Sequence, residues 1–230
     1  MSTAGTAKWF LFVSGPCNAA FNMAADEALL EWMPVLGAPV LRFYGWTEPA
    51  ATFGYFQHYA DVEAWTPLRP LVRRPTGGGI VPHDCDWTYS LAFPAGHPWH
   101  ALRAIQSYRA VHEWIRDSFL KLGIKTSLAP APNKTLPGRC FEGYEEADLL
   151  FGPGKIAGAA QRRTKAGLLI QGSVHSPRAM AREIWHEAMC AVMEPVWGKF
   201  TPLTPGPDLQ ARMDTLAAAK YGTDQYNRKR

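Results

Sequence analysis

Cysteine is scarce in this chain, with four in 230 residues, at Cys17, Cys85, Cys140 and Cys190. None forms a C-x-x-C pair, so the spacing offers no zinc site and no metal is expected. They are too few and too scattered for a disulfide framework, which makes the reducing cytoplasm the expected compartment. Long apolar runs are missing as well. No stretch reaches the roughly 18 consecutive apolar residues of a membrane span, and the first residues lack the basic-then-apolar pattern of a signal peptide, so neither membrane nor leader is expected. Charge is sparse, at 19% of residues with a net +4. That excess is too small for a nucleic-acid footprint but favours an acidic partner or an anionic ligand. Part of it sits in Arg228-Lys229-Arg230, which reads as a solvated tail. Internal repeats and low-complexity tracts are absent too.

What is present is apolar and aromatic: 47% hydrophobic residues, enough to bury a sizeable core. Lys8–Ser14 reads as a buried strand broken by Gly15-Pro16. Asn18–Trp32 has helical spacing, with Asn18 as its cap and Pro34 as its stop. Pro39–Trp46, Ala51–Tyr55, Arg69–Arg74 and Trp87–Phe93 read as strands. Ala101–Leu122 is the longest helical stretch, ended by Gly123. Thr126–Gly138 has no periodicity and reads as a loop. Asp148–Phe151 and Lys155–Ala160 read as strands joined at Gly152-Pro153-Gly154, and Leu168–Val174 as another. Ser176-Pro177 is expected to open a helix reaching about Met193, with a further short helix after Asp208. The sum is an α+β domain of one or two antiparallel sheets flanked by helices.

Two stretches carry chemistry. In Arg73-Arg74-Pro75-Thr76-Gly77-Gly78-Gly79 three glycines let the backbone turn tightly and bring its N–H groups near a ligand's oxygens. The stretch lies between strands and not before a helix, so it is neither a P-loop nor a dinucleotide fingerprint. The two guanidinium groups point to an anion site; the plain alternative is a glycine-rich hairpin. In Gly154–Arg163, Lys155 sits among small residues of an apolar strand, where its charge needs a partner. There it would hold a phosphate or a carbonyl oxygen gaining charge; the plain alternative is an edge-strand lysine in solvent.

Together these stretches resemble the lipoate–protein ligase and octanoyltransferase family, relatives of biotin–protein ligase. Matching segments run in order: Asn22–Glu27, Leu41–Trp46, Phe53–Gln57, Arg73–His83, Asp86–Ser90 and Gly154–Arg163. The resemblance implies a biotin/lipoate-ligase-like α+β catalytic domain, mainly antiparallel sheets flanked by helices, over residues 1–195. Residues 196–230 would then form a helix and tail, short of a full accessory domain. It implies that Arg73, Arg74, Thr76, Gly77, Gly78, Gly79, His83, Asp148, Gly158 and Ala159 line the acyl or acyl-adenylate site. Lys155 would contact the carbonyl and phosphate of the activated acyl group. The residue before Asp148, often Asn in the ligases, is Ala147. The string His83-Asp84-Cys85-Asp86 is better read as part of that motif, with a metal centre as the alternative. No Gly-Arg-Gly-Arg-type loop of biotin ligases is found.

The family holds two chemistries. Ligases activate lipoate with ATP and Mg²⁺; octanoyltransferases take octanoate from acyl carrier protein through a cysteine thioester. Both deliver to a lysine of a lipoyl-domain protein, with no tightly bound cofactor. Arg139-Cys140-Phe141, fifteen residues before Lys155, looks like the transferases' catalytic cysteine, with Arg139 and Lys155 to lower its pKa. Only about 55 residues follow Ser176, whereas many ligases carry a further domain. Against this, the third glycine, Gly79, looks ligase-like. Octanoyl transfer is the leading expectation, ATP-dependent ligation the second, and a non-catalytic lipoyl- or acyl-binding protein the third.

Overall fold

The computed structural model describes residues 8–134 and 143–230. Its elements in chain order are β1 (Trp9–Cys17), α1 (Ala19–Leu36), β2 (Val40–Trp46), β3 (Ala50–Phe53), α2 (Tyr59–Trp65), β4 (Leu71–Arg73), β5 (Val81–His83), β6 (Trp87–Pro94), α3 (Pro98–Ala101), α4 (Ala104–Lys121), β7 (Ser127–Leu128), β8 (Asn133–Lys134), β9 (Gly143–Tyr144), β10 (Leu149–Phe151), β11 (Gly154–Arg163), β12 (Gly167–Val174), α5 (Arg182–Trp197), β13 (Phe200–Pro202), α6 (Pro207–Leu216), a π-helical turn (Ala217–Tyr221) and α7 (Asp224–Asn227). The α+β class expected from the sequence is the one observed. Eight strands form the main sheet in the order β13-β1-β2-β6-β12-β11-β10-β7. It is antiparallel except where β1 runs parallel to β2 and to β13. A small sheet, β4-β3-β5, lies apart, and β8 pairs with β9.

Strand side chains alternate between faces with period two, and here the alternation sorts the sequence sharply. Leu41 and Phe43 of β2, with Trp87, Tyr89, Leu91 and Phe93 of β6, join Trp114 and Phe119 of α4 and Trp185 of α5 in one buried apolar cluster. The intervening residues Arg42, Thr88 and Ser90 are buried polar groups on the other face. That face meets α1, whose Met23, Ala25 and Leu29 pack with Val40, Tyr44 and Ala92 and with Leu209 and Met213 of α6. Phe53, Tyr59, Val62 and Leu71 make a third cluster under the small sheet.

Several local expectations change. Gly15-Pro16 does not end β1: Gly15, at φ 68°, produces a register shift after Val13, and pairing with β2 resumes to Cys17. Asn18 caps α1, its Oδ1 accepting from Phe21 N at 2.8 Å. Pro34 does not stop that helix. One lost N–H near the end is tolerated, and the helix closes on Gly37, at φ 64° with its N–H on Met33 O at 3.0 Å. Ser176 does not cap α5; its hydroxyl folds onto the backbone of Arg178, and the helix begins at Arg182. The short helix α2 had no expectation at all. The basic end is not a solvated tail. Its side chains are exposed, but Tyr59 N donates to Arg230 O at 2.9 Å and Arg228 lies over the Tyr59 ring at 4.2 Å.

Candidate functional site

The polar face of the main sheet begins with a buried ion pair. Arg42 Nη1 donates to Asp26 Oδ1 at 2.7 Å, with both side chains at 0% exposure. Charges so deep are retained only when every lone pair finds a donor, and here they do. Asp26 also accepts from Ser90 Oγ (2.6 Å), Tyr44 OH (3.1 Å) and Gln171 Nε2 (2.7 Å). Asn22 completes the guanidinium, accepting through Oδ1 at 2.8 Å and through its backbone oxygen at 3.0 Å. Gln171 carries the network outward, because Thr76 Oγ1 donates to its Oε1 at 2.7 Å. The glycine loop is thereby tied to the buried ion pair.

Between this face and the small sheet lies a cleft. Thr52, Val81 and His83 of the small sheet line it. Opposite them stand Tyr44, Thr88 and the Gln171–Ser173 stretch, with Lys155, Gly158, Ala159 and Ala160 of β11. Arg74 and Gly78 close one side. Lys155 and the glycine loop therefore share one cavity.

Lys155 is positioned by its neighbours. Its Nζ lies 2.8 Å from Asp148 Oδ2, and both side chains are 8% exposed. Gly158 makes room for it: a Cβ there would stand 2.7 Å from both Cε and Nζ of Lys155. Asp148 is itself aimed by the backbone. Ala147, fully buried, has φ 68°, a left-handed conformation that Asn adopts more readily than Ala. It is held there by N–H to Ala129 O (2.9 Å) and by His112 Nδ1 on its carbonyl (2.6 Å).

The glycine loop is pinned in two ways. Gly78, at φ 87°, lies so close to Gly54 that a Cβ on Gly54 would fall 1.9 Å from Gly78 O. Arg74 Nη2 donates to Gly77 O and to Gly79 O, each at 2.6 Å, and Nη1 to Thr52 O at 3.2 Å. The guanidinium thus supplies donors to two of the loop's carbonyls, while Tyr55 N donates to the Thr76 carbonyl at 2.9 Å.

On the opposite wall His83 joins Thr52 and Asp86. Nδ1 lies 2.8 Å from Asp86 Oδ2, Nε2 lies 2.8 Å from Thr52 Oγ1, and the ring stacks on Trp46 at 3.8 Å. Asp86 Oδ2 also accepts from Ser173 Oγ at 2.7 Å and Thr88 Oγ1 at 3.2 Å. Burial alone would raise its carboxyl's pKa, but the charge and hydrogen bond of His83, with Ser173, more than offset this and hold it below the ordinary range. Burial and then Asp26 push the Tyr44 hydroxyl well up. Burial, with Asp84, raises the exposed Cys85 thiol, which disfavours its thiolate.

A profile of the lipoyl protein ligase A/B catalytic domain matches residues 18–178. The chain belongs to that family. Its curated relatives include an octanoyltransferase LipM of Anoxybacillus flavithermus, 38% identical over 183 residues, covering 72% of this chain and 64% of the relative. Another, from Bacillus cereus, is 36% identical over 187 residues, covering 74% and 66%. The chain thus spans just under two thirds of the length of these relatives. Solved structures with the same fold include lipoate-protein ligase A bound with ATP (TM-score 0.77, 20% identity, 97% of this chain and 99% of that one). A bipartite lipoate protein ligase from Thermoplasma acidophilum gives 0.71 at 19% identity, covering 96% of each chain.

The catalytic-domain match spans every residue expected at the site, and the fold gathers most of them. Lys155, Gly158, Ala159, Arg74, Gly78 and His83 line the cleft, and Asp148 and Thr76 are bonded to residues that do. Gly77 and Gly79 offer their carbonyls to Arg74. Arg73 is not at the cleft. Its guanidinium donates to Tyr55 O, Gln57 O and Asn227 O at 2.7–2.8 Å, joining the small sheet to the C-terminal segment. Cys140 lies outside the described residues. Sequence reasoning missed Thr52, Asp86, Gln171 and Ser173 as functional groups. The one local signal was polar residues inside apolar strands, as in Leu168–Val174. Among the described residues no three His, Cys, Asp or Glu groups gather as a metal site requires, and no helix is long and apolar enough to cross a membrane.

Proposed function

We propose that this chain transfers an octanoyl group from acyl carrier protein to a lysine of a lipoyl-domain protein. The observation that carries the reading is Lys155, ion-paired with Asp148 over Gly158 in a cleft whose side is the glycine loop. The relatives named octanoyltransferase supply the acyl group. In the first step a cysteine thiolate bonds to the carbonyl carbon of the octanoyl thioester, the old C–S bond breaks and the carrier leaves as its thiolate. Lys155 donates to the carbonyl oxygen as charge gathers on it, an electrostatic role of known strength. In the second step the acceptor amine attacks the new thioester and the cysteine is released. Cys140 is assigned as that cysteine from Arg139-Cys140-Phe141 alone.

The test is the intact mass of a lipoyl domain incubated with this protein and octanoyl-carrier. A gain of one octanoyl group is expected with wild type and none with Cys140→Ala; full activity of that variant would refute the thioester route. The third glycine, Gly79, favours a second reading, ATP-dependent ligation of lipoate with Mg²⁺. Lipoate-dependent exchange of pyrophosphate into ATP is its signature and is not expected here.

A further inference from the structure

Amide formation has a proton problem that Lys155 does not solve. The acceptor lysine arrives as an ammonium with no lone pair, so a base must take one proton before attack. Lys155, ion-paired with Asp148, offers donors only. Asp148 Oδ2 is engaged by Lys155 and by Glu145 N at 2.8 Å. Asp26 accepts from four side chains and lies below the cleft surface. His83 is the only imidazole among the described residues lining the cavity.

Its hydrogen bonds fix where its lone pair is. The Asp86 carboxylate only accepts, so Nδ1 carries the proton shared at 2.8 Å. Nε2 faces Thr52 Oγ1 at 2.8 Å. In the neutral ring with its proton on Nδ1, Nε2 can only accept, so the Thr52 hydroxyl donates to it; the same oxygen receives an N–H from Arg74 Nη1 at 3.4 Å. Thr52, His83 and Asp86 are 2%, 5% and 8% exposed, and stacking on Trp46 holds the ring. In this order the imidazole can take the hydroxyl proton while the carboxylate holds the ring and stabilises the imidazolium.

We propose that Thr52, His83 and Asp86 form the proton relay that deprotonates the acceptor amine, an inference that rests on the transfer reading above. The ammonium gives a proton to Thr52 Oγ as the Thr52 hydroxyl proton passes to His83 Nε2, and Asp86 stabilises the imidazolium. The freed lone pair forms the C–N bond at the acyl carbon. The C–S bond breaks, its electron pair goes to sulfur, and a second nitrogen proton follows to give the thiol. His83 then returns its proton to solvent. Thr52 meets the amine; Asp86 is a positioning residue.

The test uses the full chain, octanoyl-carrier as donor and two acceptors: a lipoyl domain, and hydroxylamine, an amine already unprotonated at neutral pH. His83→Gln and Thr52→Val should slow transfer to the lysine by about 10²–10⁴-fold, a general base's usual contribution, but transfer to hydroxylamine by less than about tenfold. Thr52→Ser should restore lysine transfer. Equal slowing with both acceptors would mean a structural role and overturn the relay, as would unimpaired lysine transfer in either variant. Hydroxylamine turnover shows that a variant is folded. Wild type that acylates neither acceptor would refute the transfer reading itself, and the relay with it.

Discussion

The two faces of the main sheet are made by the same strands and do opposite work. On the α4/α5 face the contacts are between rings: Trp9 stacks on Trp197 at 3.9 Å, Phe43 on His186 at 3.9 Å and Trp87 on Trp185 at 5.6 Å. Such burial is strong but tolerant of direction. On the α1 face the apolar packing of Met23, Ala25 and Leu29 is joined by hydrogen bonds to Asp26, Arg42, Asp86 and Gln171, which fix position to a few tenths of an ångström. One face supplies stability alone and the other supplies placement as well. Strand alternation lets a single stretch such as Trp87–Pro94 serve both.

The sharpest way to break this division is Arg42→Met. Removing one partner of a buried ion pair leaves the Asp26 charge uncompensated and costs about 3–5 kcal/mol. Because Asp26 anchors Gln171 and through it Thr76, transfer should fall as well; urea denaturation and octanoyl transfer measured together check this. Trp185→Ala is expected to cost a similar 3–5 kcal/mol or so, while the folded fraction keeps its transfer rate within about tenfold, a cavity remote from the cleft having little hold on placement. Lys155→Met should do the reverse, lowering the turnover rate by about 10²–10³-fold as loss of an oxyanion donor does. Its denaturation midpoint should fall less than with Arg42→Met, because Asp148, 8% exposed against 0% for Asp26, lies nearer solvent and keeps the Glu145 N–H. Gly158→Ala is a finer probe. Its methyl would collide with Cε and Nζ of Lys155, costing about 1–3 kcal/mol of overpacking or displacing the ammonium, and lower turnover is expected with unchanged secondary structure by circular dichroism.

Acid separates the faces with the smallest effect. Burial, with Arg182, pushes His186 down to about 4, and burial also lowers His97, which packs on Trp9 and Phe93. A histidine with a depressed folded pKa is most stabilising when neutral. Its contribution is whole above the unfolded value of about 6.5 and declines as pH falls toward the folded value. Asp86 is held below the ordinary carboxylate range. Its contribution is present above an unfolded value of about 3.9 and lost only as pH falls through the folded one. The urea midpoint should therefore drop first from the apolar face, and His186→Phe should flatten that drop. Asp86→Asn should lower the midpoint above about pH 4, where that contribution is present, and flatten the further drop below it.

Local rules made much of this legible. The cap at Asn18, the strands around Arg42 and Tyr89, the glycine bend and Lys155 all follow from short-range pattern. Three misreadings have one cause: Pro34, Gly15-Pro16 and Ser176 were judged by intrinsic preference, and neighbouring packing and alternative hydrogen bonds prevailed. Arg73 and Arg74 show a different limit. A guanidinium beside glycines signals a need for donors, but not whether a ligand or the loop's own carbonyls will use them. His83 was legible through the resemblance, but its wall partners Thr52 and Ser173 were not, because the bonds they make span 31 and 87 residues. Which hydroxyl meets which histidine is decided by sheet pairing.

The Arg73–Asn227 link sets an order of events on the ribosome. Arg73 N bonds to Asn227 Oδ1 at 2.9 Å across 154 residues of chain, and the strand bearing Arg73 leads directly into the glycine bend. At translation speeds of roughly 5–20 residues per second, that partner emerges about 8–30 s later. The aromatic side of the sheet needs Trp185 and Trp197, and the scaffold beneath the bend needs Asn227, thirty residues further on (227 − 197), so the face that shapes the chain closes only shortly before the one that equips it.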